Sequence, residues 1–209
     1  MAEGKPHEGT LESEREEAVL DAALDVFGRD GYRRAHTEEI ARRAGMSKGL
    51  LFYYFSSKER LYRRTAEWLT ERVERIVLDE EYWEIDDFFE LMLYVARKSR
   101  DVLARSPRFT EFSIGFYYPD RSNGHGAMSA WLAAQADEAA ARYFKNVRLD
   151  RFRGADGAGR AMELLAWLTD GWLHQRRMAG ERADLAALCE EIEEWCAMLR
   201  SWLYKEEYL

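Results

Sequence analysis

The chain has 209 residues, 47% apolar and 33% charged, with 31 basic against 39 acidic side chains and a net charge of −8. That length and balance exclude wholesale disorder and allow a sizeable core without disulfide or metal staples, while two cysteines suit a reducing compartment. No apolar run approaches the roughly 18 residues that cross a bilayer and Met1–Thr10 lacks the apolar core of a signal peptide, so the expectation is a cytoplasmic protein without a membrane partner.

Prolines are few, at positions 6, 107 and 119, and apolar residues recur with period 3.6 rather than two, which predicts an all-α chain. Residues 1–12 are polar and aperiodic and read as a flexible tail. A first helix starts near Ser13, with Glu16 completing a capping box. It carries Ala18, Val19, Ala22, Ala23, Val26 and Phe27, and stops at Asp30-Gly31. A second, short helix spans about Thr37 to Ala44. A third runs from Ser47, its N-cap, to about Phe55. Ser56 or Ser57 caps a fourth helix of about twenty residues, roughly 30 Å long. Asp86 or Asp87 starts a helix through Leu103, and Pro107 opens a short aromatic helix ending near Tyr118. Asn123–Gly126 reads as a loop, 127–146 as a helix and Gly154–Gly159 as a linker. Two helices, 160–179 and 183–206, close the chain.

Charge is unevenly spread. Between Arg29 and Arg64 stand ten basic residues (Arg29, Arg33, Arg34, Arg42, Arg43, Lys48, Lys58, Arg60, Arg63, Arg64) and four acidic ones (Asp30, Glu38, Glu39, Glu59). This stretch is +6 and leaves −14 for the remainder, the pattern of a polyanion-binding head on an acidic body. Within it, two short helices meet at Gly45, as in a helix-turn-helix. Ile40, Ala44, Met46, Leu51 and Phe55 form the expected inner face. Ser47, Lys48, Gly49, Leu50, Tyr53 and Tyr54 form the outer face, where hydroxyls, a lysine and a helix N-terminus suit phosphates and a major groove.

Residues Glu14 to Tyr62 resemble the TetR family of one-component transcriptional regulators. The resemblance is carried by Ala22-Ala23-Leu24-Asp25-Val26-Phe27, Gly31-Tyr32, Thr37-x-x-Ile40-Ala41, Ala44-Gly45-Met46-Ser47-Lys48-Gly49, Leu51-Phe52-Tyr53-Tyr54-Phe55 and Ser57-Lys58-Glu59-x-Leu61. It implies a three-helix DNA-binding head (13–60), a ligand-binding and dimerisation body (61–209), a homodimer and ligand-controlled repression at a palindromic operator in double-stranded DNA. Residue by residue it makes Thr37, Lys48, Gly49 and Lys58 backbone contacts and places Leu50 at the specificity position, where it can touch a thymine methyl. His36 stands where the family often has Ser or Thr, and reads equally as an exposed loop residue. Phe52 replaces the usual tyrosine and loses its hydroxyl. Tyr54 replaces a histidine.

In the body, Leu185, Leu188, Ile192, Trp195, Leu199 and Trp202 repeat at spacings of three and four, a seven-residue seam. With Leu164, Leu165, Leu168, Trp172 and Leu173 of the preceding helix they make the expected dimer interface, against the plainer reading of packing within one monomer. An apolar or aromatic effector is expected among Tyr94, Phe109, Phe112, Phe116, Met128, Trp131 and Trp167, against the plainer reading that aromatics at this spacing form core. Cys189 and Cys196, two turns apart, read as apolar packing. The histidines at 7, 36, 125 and 174 are scattered and no serine or zinc motif is present, so no enzyme, cofactor or metal is expected. The alternative is a ligand-binding or DNA-architectural helical dimer without a transcriptional response.

Overall fold

The structure, a computed structural model, describes residues 13–118, 141–182 and 184–209. The expected tail 1–12, Met128, Trp131, His125, the expected loop around His125 and the expected helix up to position 140 lie outside the described residues. The helices of the described residues are α1 (Ser13–Arg34), α2 (Thr37–Arg43), α3 (Lys48–Phe55), α4 (Lys58–Val77), α5 (Glu80–Glu84), α6 (Phe88–Leu103), α7 (Pro107–Tyr117), α8 (Gly157–Met178) and α9 (Leu185–Leu203). Residues 141–143 are also helical, and single 3-10 turns cover Leu149–Arg151 and Glu206–Tyr208. Among the described residues extended pairing is limited to one bridge, Phe152 with Tyr204. The protein is all-α.

The described chain packs as two compact units, 13–72 with 106–118 and 73–105 with 141–209. The first unit is therefore more than the three-helix head expected from the sequence. It takes the first part of α4 and all of α7, which runs against α1. Its core is Val19, Leu20, Leu24, Val26 and Phe27 of α1, Ile40 and Ala41 of α2, Leu51 and Phe55 of α3, and Leu61 and Tyr62 of α4. Phe112 and Phe116 of α7 complete it, their rings 5.4 and 5.3 Å from Tyr62.

The second unit is centred on Phe88, Phe89 and Leu91 of α6, Phe152, Ala161 and Leu165 near the start of α8, and Cys196, Leu199 and Tyr204. Asp87 is buried here. Its carboxylate caps α6 by accepting from the Phe89 and Glu90 amides, and pairs with Arg151 at 2.9 Å and Arg200 at 3.3 Å. A charge this deep is tolerable because two guanidiniums and two N–H groups replace its water. Both cysteines are buried and neither is in a disulfide, the Cys189 thiol donating to the Ala96 carbonyl at 3.6 Å. Burial pushes the Cys196 thiol up to about 12, so it behaves as the small apolar residue expected.

Candidate nucleic-acid interface

The turn between α2 and α3 depends on glycine. Gly45 has φ 68°, a left-handed conformation that costs a side-chain-bearing residue. From that turn Ser47 enters α3 in extended conformation and its hydroxyl accepts from the Leu50 amide at 3.2 Å. Leu51 and Phe55 then face inward, which turns the intervening positions out. Ala44 and Met46, expected inside, are only half-buried.

Of the outward face expected for α3, all but Tyr54 is exposed. Ser47, Lys48 and Gly49 are exposed, Leu50 is 41% exposed and Tyr53 50%. Leu50 and Tyr53 thus leave apolar surface open to solvent on one short helix. Tyr54 is half-buried, with its ring 5.2 Å from that of Tyr53. Phe52 is half-buried below Lys48, whose ammonium lies 5.9 Å from the ring centre.

Two lysines are already engaged. Lys48 pairs with Glu38 on the first turn of α2, and both side chains are more than half exposed. That lysine, by hydrogen bonding, holds the Glu38 carboxyl below its ordinary value. Lys58 donates to the carbonyls of Ala35 at 2.7 Å and Arg33 at 3.2 Å and lies 4.9 Å from the Tyr32 ring centre. Burial pushes its ammonium below the ordinary lysine value. An ammonium carries three donors and these carbonyls use two, so Lys58 ties the end of α1 to the start of α4. That end is marked by Gly31 (φ 71°, ψ 164°), which breaks α1 one turn before Arg34. Sequence reasoning took Lys58 only as a phosphate contact.

His36 is exposed at the N-cap of α2 and makes no capping bond. Thr37 is buried behind it, so it offers a phosphate little surface. In the sequence Asp25 reads only as part of the run Ala22–Phe27, and Glu38 and Arg43 only as charges of the basic segment. The one signal for Asp25 was a charged residue inside the run Leu24-Asp25-Val26.

The expected effector residues that are described belong to both units. Phe112 and Phe116 are core of the first unit, stacked 6.0 Å from one another, and Phe109 beside them is half-buried. In the second unit, the Tyr94 hydroxyl donates to Asp79 at 2.6 Å. Trp167 is 57% exposed, with the Arg160 guanidinium 5.2 Å from its ring. Among the described residues it lies on an open helix face.

The expected dimer seam also divides. Leu199 is buried, and Leu164, Ile192 and Trp195 pack partly buried against the same core. Leu168, Trp172 and Leu188 are half-buried, and Trp202 is 61% exposed. The open apolar side chains of α8 and α9 are Met162, Trp167, Met178, Met198 and Trp202. A period of seven fits two neighbouring stripes of α9 equally well, and the stripe containing Leu199 faces the core.

Residues 19–65 match the family model described as "Bacterial regulatory proteins, tetR family". The HTH-type transcriptional regulator RutR of Escherichia coli K12 is 50% identical over 50 residues, 24% of this chain and 24% of its own length. The match thus spans about a quarter of that curated relative. Solved structures agree over far more of the chain. SmeT, the repressor of a Stenotrophomonas maltophilia multidrug efflux pump, in complex with triclosan, superposes with a TM-score of 0.65 at 21% identity, covering 93% of each chain. Bacillus subtilis FadR in complex with stearoyl-CoA gives 0.60 at 20% identity, covering 86% of this chain and 96% of its own. These two likenesses carry the fold, and the N-terminal match carries the kinship. Over residues 19–65, its helix-turn-helix head, the chain is similar to the tetR family of bacterial regulatory proteins.

Proposed function

We propose that the protein is a ligand-responsive DNA-binding transcriptional regulator, a homodimeric repressor released from a two-fold operator by a small apolar molecule. The observation that carries this reading is α3. It has a firm inner face, a hydroxyl cap, an exposed N-terminus with Ser47, Lys48 and Gly49, and exposed Leu50 and Tyr53, inside a +6 segment of an acidic chain. Such a helix enters a major groove with its first residues toward the bases. Ser47, Lys48, Gly49, Tyr54 and the third donor of Lys58 would hold phosphates, with His36 and Thr37 at the rim. Leu50 and Tyr53 would read base edges, and Phe52 would support Lys48.

The effector class is supported by relatives of the same fold solved with triclosan and with stearoyl-CoA. Phe109 and Tyr94 stand as proposed effector-facing residues, and Trp167 is better assigned to the dimer face. Phe112 and Phe116 would respond to an effector through α7 rather than touch it.

The test is selection of duplexes from a random library by the full-length protein, followed by gel shifts. A two-fold sequence with half-sites roughly 34–36 Å apart is expected. Recovery of no enriched sequence would refute the reading. Tyr53→Ala should change which sequences are enriched.

A further inference from the structure

We propose that Asp25 is a positioning residue of the DNA-binding head: one buried carboxylate through which the pose of α7 is imposed on the helix-turn-helix. Asp25 lies mid-way along α1, between Leu24 and Val26, and is buried with them. One of its oxygens, Oδ2, pairs with Arg43 at the end of α2. The other, Oδ1, pairs with Arg108 in the first turn of α7. Each arm thus holds a different helix, and when one leaves, the buried carboxylate keeps only the other as its ion-pair partner. A buried carboxylate shared in this way can act as a register device between the two helices.

The two helices it joins have different duties. Arg43 also reaches Glu39 within α2 at 2.6 Å, and Glu39 accepts from Arg29 of α1 at 2.9 and 3.1 Å. This arm fixes α2 on α1, and α2 carries the turn that aims α3. Arg108 belongs to the helix whose Phe112 and Phe116 fill the core beside Tyr62. Its docking on α1 is sterically close. A Cβ on Gly28, one turn beyond Asp25, would come within 2.9 Å of the Arg108 carbonyl oxygen and 3.5 Å of the Phe112 amide. Backbone therefore meets backbone at Gly28, and the ion pair bridges α1 and α7 one turn away.

The consequence is mechanical. A shift of α7 along or away from α1 pulls Arg108 from Oδ1. Asp25 then rebalances toward Arg43, and α2 moves with it. This inference rests on the reading that α2 and α3 bind DNA, and names the route by which α7 regulates that binding. It needs no contact of Asp25, Arg108 or Gly28 with DNA.

The experiment uses the full-length protein and a duplex that the wild type has selected from a random library. Arg108→Met cuts the α7 arm at a side chain that is 56% exposed, so the variant should melt cooperatively. Gly28→Ala displaces α7 sterically and leaves all three charges in place. Each should weaken DNA binding about 5- to 20-fold, a typical coupling between distinct sites, with the slope of affinity against salt unchanged because no phosphate contact is lost. The double variant should be no weaker than the worse single, as expected for two changes acting through one contact. Arg108→Lys, which keeps the charge, should recover part of the loss. Binding within twofold of wild type in either single variant would overturn the proposal. So would additive losses, a shallower salt slope or loss of cooperative melting in Arg108→Met. A wild type that selects no duplex would instead refute the DNA-binding reading on which the proposal stands.

Discussion

At the scale of single residues, the proposed DNA face depends on which partner holds each cation before DNA arrives. Lys48 is paired with Glu38 on the surface, so a phosphate must take the ammonium from a carboxylate. Binding then releases a counterion from DNA but leaves Glu38 to attract one, which reduces the net release. Glu38→Gln removes the competitor. We expect it to tighten binding about two- to fivefold for all sequences, the scale of an exposed ion pair, with a salt slope steeper by up to about one. Lys48→Ala should do the reverse, weakening all sequences alike and flattening the slope by about one. Gel shifts between 50 and 200 mM salt check both. Equal slopes in Glu38→Gln and wild type would place Lys48 away from the backbone of bound DNA.

At the scale of elements, most helix starts follow from one capping side chain. Ser47, Ser57 and Asp87 each accept from amides of the first turn they precede, and Pro107 occupies the first position of α7, where its missing N–H costs nothing. These are readable in sequence because a cap is a local interaction. The five-residue α5 is not, since a helix this short shows no periodicity. Its start is set by Asp79, whose carboxylate accepts from the Tyr82 amide at 3.0 Å, from the Tyr94 hydroxyl and from Lys98 at 2.8 Å. Lys98 first, then Tyr94, hold the Asp79 carboxyl down to about 2, against an ordinary value of 3.8. A depressed carboxyl stabilises the fold above its unfolded value, and that contribution is lost as pH falls through the folded one. Asp79→Asn keeps a capping oxygen but not the charge. The stability difference between wild type and Asp79→Asn, from denaturant unfolding, should be constant above about pH 5. It should shrink between pH 4 and 2. A difference that persists unchanged to pH 2 would show that the charge is not what holds the cap.

Other parts were hidden for a different reason. Gly154–Gly159 reads as a linker, yet α8 begins at Gly157, where a Cβ would come within 2.5 Å of the Phe152 ring. That glycine is there for close packing, which composition does not distinguish from flexibility. Asp25 was visible as a charge in an apolar run, but its partners lie 18 and 83 positions away, so no local pattern could name Arg43 or Arg108.

At the scale of the whole molecule, the remaining apolar surface is the clue to assembly. Trp202 and Met198 of α9, with Trp167 and Met178 of α8, stay open to solvent in the single chain, and large exposed apolar groups mark interaction surfaces. We expect them to meet their own copies across a two-fold axis, where one patch is self-complementary. Leu199 cannot serve, because it already fills the core. Trp195 is half-committed to that core, so changing it would confuse folding with assembly. Trp202 separates the two. Trp202→Asp alters an exposed side chain and should melt close to wild type as a monomer, yet it would place an unpaired charge in the dimer interface. Sedimentation at micromolar concentration should show a dimer for wild type and a monomer for the variant. A two-fold operator is held by two linked heads, so the loss of linkage should cost operator affinity about 100-fold or more, while each head keeps its fold and its weak affinity for a half-site. A wild type that sediments as a monomer, or a Trp202→Asp dimer with normal operator affinity, would remove this face from the assembly.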